Sequence, residues 1–251
     1  GAPPYLRVHG MMSPLNYRSL TSQDVQGLIF EILNEKQIED APRVISNTSG
    51  TILPHLKEDL YISNLHRLNY KQPLAIYRMG RPIVSPQDKK KILGYPLIFV
   101  ADIKFKKLNV ASNLSIVSLT NPVAEIIAGD RVLVKHKIPK VSLVKNDNTT
   151  LKGNVVYMLE TAQLATAGQS VLINLGKKDR VQKGNRFYLM DNKSVNRSVQ
   201  LYEEDAIDRK DKSNAMIVRL PDEKMGELIV YDTYEDLSLA LITSSKEPIY
   251  L

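Results

Sequence analysis

The sequence predicts a mainly β protein with two related small β modules of barrel or sandwich type, a short N-terminal arm and one amphipathic helix. Three observations support this prediction. Short runs rich in Val, Ile, Leu and Tyr alternate with turn residues over most of the chain. Long helical spacers between these runs are lacking, which argues against parallel β-α-β units. Several runs also recur, in the same order, in the second half of the chain.

Residues 1–44 are predicted to form the arm and the helix. The segment LTSQDVQGLIFEILNEKQ (20–37) places apolar side chains at helical spacing. Thr21 and Asp24 fit a capping box, in which side chains satisfy backbone groups that the first helical turn leaves unpaired. This helix would pack its apolar stripe on a sheet. The alternative is a helix that binds a partner protein.

The internal repeat predicts where the two modules lie. Four pairs of segments are similar and follow the same order: LYISNL (60–65) and VLINL (171–175), YKQPLAIY (70–77) and QKGNRFYL (182–189), LGYPLIFVAD (93–102) and MGELIVYD (225–232), LSIVSLTNPVAEII (114–127) and LSLALITSSKEPIY (237–250). The last pair aligns without gaps. We therefore expect a first β module over residues 45–144 and a second over 145–251, with the polar stretch KNDNTTLKG (145–153) as the connection.

One seven-residue pattern occurs twice, as AGDRVLV (128–134) and KGNRFYL (183–189). Gly followed by Asp or Asn provides the positive-φ turn that the tight start of a strand requires. The following Arg would lie at the solvent edge, and the apolar pair after it would enter a core. We interpret the pattern as a turn that starts a strand and not as a binding loop.

Several classes of chemistry are excluded or disfavoured by the residue types. The 251 residues include no cysteine, which excludes disulfides, thiolate zinc sites and cysteine nucleophiles. The four histidines have none of the close spacings that place two imidazoles on one metal ion. The acidic stretch YEEDAIDRKDKSN (202–214) could gather a calcium ion, but a solvated hairpin tip fits its mixed charge better. We therefore predict no catalytic residue, cofactor or metal site.

The basic balance of the chain permits an anionic partner. The net charge is +7 and the pI about 9.3, values compatible with attraction to nucleic acid, anionic lipid or an acidic wall polymer. The candidate anion-binding residues form two clusters: Lys89, Lys90, Lys91, Lys104, Lys106 and Lys107. Lys104 and Lys106 are expected to share the outer face of a strand. Alternatively, these lysines only protect a sheet edge from aggregation.

The sequence disfavours both a nucleic-acid partner and a membrane-spanning helix. Nucleic acid is an unlikely match for the strand lysines, because no surface aromatic residues accompany them in the sequence as a stacking platform. A membrane-spanning helix is not expected, because the richest apolar run, LGYPLIFVADI (93–103), is strand-sized and far below the roughly 18 residues required.

Four blocks of the sequence resemble a known family. They are LAIYRMGRPIVSPQDKKKILGYPLIFVADIKF (74–105), LTNPVAEIIAGDRVL (119–133), VLINLGKKDRVQKGNRFYL (171–189) and VRLPDEKMGELIVYDTYEDLSLALITSSKEPI (218–249). In order and spacing they resemble the region after the LysM domain in secreted proteobacterial proteins that bind peptidoglycan through that domain. The resemblance covers about residues 40–251, and no LysM signature occurs in the chain itself. Arg180 and Gln72-Pro73 depart from the family pattern, both in turns.

The resemblance implies a location in the periplasm or cell envelope. The full-length protein would bind peptidoglycan through a LysM domain that is not present in this chain, and no site residue carries over. The expected function is a non-catalytic wall-associated region that acts as a spacer or as a platform for an envelope protein partner. One alternative is direct binding of an anionic polymer (wall glycan, lipopolysaccharide or nucleic acid) through the lysines. Another is an unrecognised carboxylate-based hydrolase.

Overall fold

A computed structural model describes residues 4–9, 30–47, 59–69, 71–135, 140–159, 164–191, 198–201, 216–219 and 221–251. In these residues the chain is mainly β, as predicted, with nineteen strands, one α-helix and two short 3-10 helices. The chain divides into two compact units. We call residues 26–139 the middle unit, and residues 1–25 together with 140–251 the terminal unit.

These units differ from the predicted segments 1–44, 45–144 and 145–251. In the described parts of residues 1–44, the strand Tyr5–Val8 pairs within the terminal unit and Phe30–Leu33 pairs within the middle unit, so these parts do not form one separate piece. The boundary between the units falls at residues 139 and 140. The backbone after it already belongs to the terminal unit, since Val144 N–H donates to the carbonyl of Gly184.

The middle unit contains eight strands and the α-helix. In chain order its elements are β2 (Phe30–Leu33), α1 (Glu35–Asp40), β3 (Arg43–Asn47), β4 (Asp59–Ser63), a 3-10 helix (Leu65–Arg67), β5 (Leu74–Met79), β6 (Ile83–Val84), β7 (Ile92–Asn109), β8 (Leu114–Thr120) and β9 (Arg131–Val134). Six antiparallel strands form a ring in the order β7-β5-β9-β3-β4-β8, which closes because β8 pairs again with β7. Strands β2 and β6 pair with the first half of β7.

The terminal unit contains eleven strands. They are β1 (Tyr5–Val8), β10 (Lys152–Gly153), β11 (Val155–Met158), β12 (Leu164–Ala165), β13 (Ser170–Ile173), β14 (Arg186–Asp191), β15 (Ser198–Leu201), β16 (Met216–Arg219), β17 (Glu223–Thr233), β18 (Ser238–Ser245) and β19 (Ile249–Tyr250), with a 3-10 helix at Lys177–Asp179. The main sheet has the order β10-β1-β14-β17-β18-β13-β11. Since only Asn154 separates β10 from β11, this sheet is a nearly closed barrel.

Each ring encloses its own apolar core. The side chains inside the middle unit include Leu60, Ile62, Ile76, Val117 and Val132, all at most 1% exposed. Those inside the terminal unit include Leu6, Ile173, Phe187, Leu228 and Ile242, likewise at most 1% exposed. Alternate strand residues supply these cores, as the pleat of a half-buried strand requires. Closure removes most free sheet edges, which are otherwise sites of aggregation.

The two rings correspond strand by strand. Strands β3, β4, β5, β7 and β8 of the middle unit have the same neighbours as β10–β11, β13, β14, β17 and β18 of the terminal unit. Register irregularities also interrupt the pairing at matching places: Val44/Ser46 and Val155/Tyr157, Ile76/Tyr77 and Leu189/Met190, Phe105/Lys107 and Val230/Asp232. Because bulges are specific features of a fold and not defects, three matching bulges identify two copies of one β unit.

The sixth strand of each ring comes from a different part of the chain. In the middle unit this strand is β9, which follows β8 in the chain. In the terminal unit it is β1, the first of the described strands. The registers agree: Val132 of β9 lies opposite Ile76, and Leu6 of β1 lies opposite Leu189. The N-terminal strand therefore occupies, in register, the place that β9 takes in the other ring.

The register corrects two of the four predicted segment alignments. The gap-free pair 114–127 and 237–250 holds, since Leu119 lies opposite Ile103 and the aligned Ile242 lies opposite Leu228. Ile103 thus corresponds to Leu228. The observed alignment of β7 with β17 is therefore shifted by five residues from the predicted match of 93–102 with 225–232. The match of 70–77 with 182–189 moves by one residue.

The helix predicted over residues 20–37 is wrong at residues 30–33, whereas residues 35–37 do belong to a helix. Residues 20–29, including Thr21 and Asp24, lie outside the described residues, as does the acidic stretch 202–214. Residues 30–33 form strand β2, because the first half of β7 offers a partner for their backbone hydrogen bonds. The helix α1 begins only after Asn34, whose side chain and that of Gln37 form a reciprocal capping box.

The repeated turn has the predicted conformation in both places. Gly129 and Gly184 have φ angles of +94° and +92°, and a strand begins two residues after each of them. The residue after each glycine closes the turn with its side chain: Asp130 Oδ2 accepts from the N–H of Ile127 at 3.0 Å, and Asn185 Oδ1 accepts from that of Gln182 at 2.9 Å.

The two turns are secured by different polar contacts. Asp130, 4% exposed, also accepts two hydrogen bonds from the guanidinium of Arg78, at 3.0 and 2.9 Å. These bonds hold the pKa of Arg78 above its ordinary value. Asn185, 1% exposed, instead accepts from Asn146 and donates to the carbonyl of Val144. Asp130 and Asn185 therefore both have hydrogen-bond partners, as burial of a polar side chain demands.

Candidate functional site

The two predicted lysine clusters do not form one surface. Lys89, Lys90 and Lys91 lie in the exposed turn between β6 and β7, whereas Lys104, Lys106 and Lys107 lie near the other end of β7. Residues 92–103 of β7 separate these two groups, so no single compact ligand would contact both.

The second lysine cluster is also divided. A bulge in β7 between Phe105 and Lys107 interrupts the alternation from which a shared outer face of Lys104 and Lys106 was predicted. Lys106 lies in this bulge, and its Nζ is 2.7 Å from a carboxylate oxygen of Asp59. Lys104 lies beside a concave surface, which makes it the strongest of the six predicted residues.

An open cleft of about 670 Å³ lies at the rim of the ring in the middle unit. Its walls are formed by Lys71, Gln72, Pro73, Leu74, Asp102, Ile103, Lys104, Phe105, Thr120 and Lys135. The ring itself assembles this set: β5 begins and β8 ends here, β7 passes between them, and Lys135 directly follows β9. The N–H of Lys135 donates to the carbonyl of Pro73 at 2.7 Å, which fixes the two sides of the rim to each other.

The cleft carries an excess of positive charge. Lys135 forms an ion pair with Asp102, with Nζ 3.0 Å from Oδ1, and Nζ also lies 5.2 Å from the centre of the Phe99 ring. Lys71 and Lys104 have no ion-pair partner within the part of the chain that the structure describes. Three lysines thus face one carboxylate that is already paired, an arrangement suited to an anionic group.

The corresponding rim of the terminal unit is closed by its own side chains. His9 follows β1 as Lys135 follows β9, and its N–H donates to the carbonyl of Arg186 as that of Lys135 does to Pro73. By register, Glu227 takes the place of Asp102. The guanidinium of Arg186 binds this carboxylate at 2.7 Å, and Lys224 binds it as well. At the position of Pro73 in the middle unit, the terminal unit therefore has Arg186, whose charged side chain covers Glu227.

The environment of this closed rim shifts two pKa values. Burial raises the pKa of Glu227, but hydrogen bonds from Lys224 and Arg186 outweigh it and hold that pKa below 4.5. Burial and the charge of Arg186 lower the pKa of His9 below 6.5, although Glu227 opposes this. The ring of His9 stacks on Tyr188 with centroids 4.2 Å apart, and Lys224 lies 4.4 Å from the Tyr188 centroid.

The pKa of His9 predicts that the terminal unit loses stability as the pH falls below 6.5. The folded unit favours neutral His9, so between pH 6.5 and the lowered pKa the unfolded chain binds more protons and stability declines. Below pH 4.5, the unfolded chain also binds a proton at Glu227 more readily than the folded unit does, which causes a second loss of stability. We expect urea midpoints of the terminal unit, followed by hydrogen exchange in β14, to fall from pH 8 to pH 5.5. His9→Gln should be flatter over this range, and an equal fall in both proteins would contradict the assignment to His9.

Sequence reasoning identified Lys104 but missed Lys71, Asp102 and Lys135. These three are far apart in the sequence and come together only because β5, β7 and β9 pair in one ring. The internal repeat was the one sequence feature that could have indicated them. When the two units are aligned in the correct register, charged residues of both units lie at the same rim.

Other site classes find no support in the described residues. Within the described ranges, no group of three or more His, Asp or Glu side chains is placed to hold a metal ion. No helix in the described part of the chain is long and apolar enough to cross a membrane. None of the known protein families with which the chain was compared matches it, and no curated protein sequence is significantly similar to it.

Proposed function

We propose that this chain is a non-catalytic region of a cell-envelope protein that acts as a spacer or protein-interaction platform beside the wall. The full-length protein would reside in the periplasm and bind peptidoglycan through a LysM domain outside this chain. The resemblance of four ordered sequence blocks to the region after such a domain supports this location. The two ring-shaped β units support the role of a folded spacer.

The observation that carries the non-catalytic assignment is the use of the buried carboxylates. Among the described residues these are Asp130 and Asp232, which lie in different units. Asp130 is held by Arg78 and a turn N–H, and Asp232 lies 3.7 Å from Lys183 and accepts from the N–H of Thr233. A glycoside hydrolase requires two carboxyl groups that flank one bond, about 5 to 10 Å apart. Both of these carboxylates are engaged by neighbouring groups, which supports a structural role for each of them.

The proposal predicts that the chain releases no soluble muropeptides from purified peptidoglycan. Overnight incubation followed by chromatography of the supernatant should match a buffer control, while a muramidase run in parallel releases fragments. The physical reason is that the two buried carboxylates of the described residues are held in structural contacts, whereas hydrolysis requires a pair of carboxyl groups around one bond. Fragments above the buffer level that persist after further purification would contradict the non-catalytic assignment.

A second candidate function is direct binding of an anionic polymer. The specific observation in its favour is the cleft of the middle unit, where Lys71, Lys104 and Lys135 outnumber Asp102. The net charge of +7 would assist the encounter with such a polymer. Lys89, Lys90 and Lys91 are exposed on a turn without a concave surface, so they would add attraction but little specificity.

A further inference from the structure

We propose that the open cleft of the middle unit binds a phosphorylated saccharide, with Lys71, Lys104 and Lys135 around its phosphate group. This inference deepens the anion-binding candidate and rests on it. It begins with the comparison that the molecule itself provides, because the same rim exists twice with different residues.

The terminal unit shows what the rim looks like when its own side chains fill it. Arg186 stands where the middle unit has Pro73, and its guanidinium covers Glu227, which is only 14% exposed. Register also places Ile229 where the middle unit has Lys104. The middle unit therefore lacks the side chain that closes the rim in the terminal unit and has a cation beside the resulting cleft.

The cations of the cleft suit a phosphate group. All three are lysines, whose ammonium groups act as point charges and can surround a phosphate from several sides. Asp102 does not cancel them, because Lys135 already pairs with it at 3.0 Å. Two of the three positive charges thus remain for a ligand that carries two negative charges.

The remaining walls suit a sugar ring. Pro73 is exposed and Phe105 is half-buried, so both present apolar surface that can pack on the C–H face of a saccharide. Gln72 and Thr120 add an amide and a hydroxyl group that can form hydrogen bonds with sugar hydroxyls. The cleft of about 670 Å³ has the size of ordinary small-ligand sites.

The decisive variant is Pro73→Arg, which copies the terminal unit. It adds one positive charge to the protein, yet it should fill the cleft and pair with Asp102 as Arg186 pairs with Glu227. General electrostatic attraction predicts tighter binding of any anion by this variant. The cleft proposal predicts the opposite. Lys104→Ile, which also copies the terminal unit, and Lys89→Ile, on the turn between β6 and β7, form a matched pair that removes one charge each.

The experiment is an NMR titration of the whole chain with glucose 6-phosphate, with glucose and inorganic phosphate as separate probes. We expect shifts at the cleft amides and at least about 10-fold weaker binding by Pro73→Arg and Lys104→Ile, with less than about 2-fold change for Lys89→Ile, since loss of a specific charged contact costs more than a kilocalorie. Each probe alone should bind at least about 10-fold more weakly than glucose 6-phosphate.

Four outcomes would overturn the inference. Equal affinity for inorganic phosphate would remove the saccharide, and binding of an oligothymidylate at the same amides would assign the cleft to nucleic acid. Tighter binding by Pro73→Arg would show general attraction without a cleft site. If no variant affects glucose 6-phosphate but all lysine variants lower retention on an anionic polymer, the polymer function stands and only the cleft proposal fails. Folding of every variant is checked from its amide spectrum.

Discussion

Gly184→Ala should destabilise the terminal unit by about 3 to 5 kcal/mol, whereas Gly129→Ala should cost the middle unit only about 1 to 2 kcal/mol. Both glycines have the same positive φ, so an alanine pays the same left-handed strain at either position. The surroundings differ. A Cβ atom at Gly184 would lie 2.0 Å from the carbonyl oxygen of Ser142, whereas a Cβ atom at Gly129 would meet nothing within 4 Å.

The clash at Gly184 is with backbone and therefore cannot be relieved by a rotamer change. The segment that would have to move also binds Asn185, because the carbonyl of Val144 accepts a hydrogen bond from the side-chain amide of Asn185. Hydrogen exchange measured across urea concentrations, with peptides from β14 and β18 for the terminal unit and from β5 and β8 for the middle unit, assigns each loss to its unit. Equal losses in the two variants would show that the chain after residue 139 does not pack against this turn.

The repeat could be predicted from the sequence because strand periodicity is local. The alternation of apolar residues in β8 and β18 fixes which side chains face the core, and the gap-free alignment of these segments agrees with the observed register. The alignment failed for β7 and β17 because LGYPLIFVAD and MGELIVYD are similar in residue type at a register five residues away from the one that the strand pairing shows. Leu74 corresponds to Phe187, both facing a core, and not to Arg186.

The N-terminal elements could not be predicted for a different reason. Ile32 and Leu33 fit a helical stripe as well as a strand, and only the partner strand β7 decides between the two. Strand β1 is four residues long and pairs with residues more than 140 positions away. No local pattern indicates such a pairing, so the sequence suggested an arm.

The candidate site was only partly predictable for the same reason. A cluster of lysines is visible in the sequence, but the acid that pairs with Lys135 and the proline that leaves the rim open are not. They become significant only when the closed rim of the terminal unit is compared with the open one. The two units share one strand arrangement but differ at this rim, so one carries a cleft and the other an internal ion pair.

Leu6→Ala should destabilise the terminal unit by about 3 kcal/mol, although its strand begins only five residues from the start of the chain. Leu6 is 0% exposed, and it packs in the core of this unit opposite Leu189. Its removal leaves a cavity in the ring and also weakens the strand that joins β14 to β10. Faster hydrogen exchange in β14 is the expected readout, with peptides of the middle unit unchanged because that unit has its own core.

Arg7→Ala provides the matched control within the same strand. Arg7 is exposed and lies 5.6 Å from the ring centre of Tyr188, a contact worth no more than about 1 kcal/mol. Val132→Ala tests the same position in the middle unit, since Val132 is also 0% exposed and occupies the register of Leu6. If Leu6→Ala proved no more costly than Arg7→Ala, strand β1 would be dispensable and the terminal ring would close without it. A large, unit-specific loss would instead show that strand β1 contributes to the core of the terminal ring, at the position that β9 occupies in the other ring, because a buried side chain is costly to shorten only where it packs.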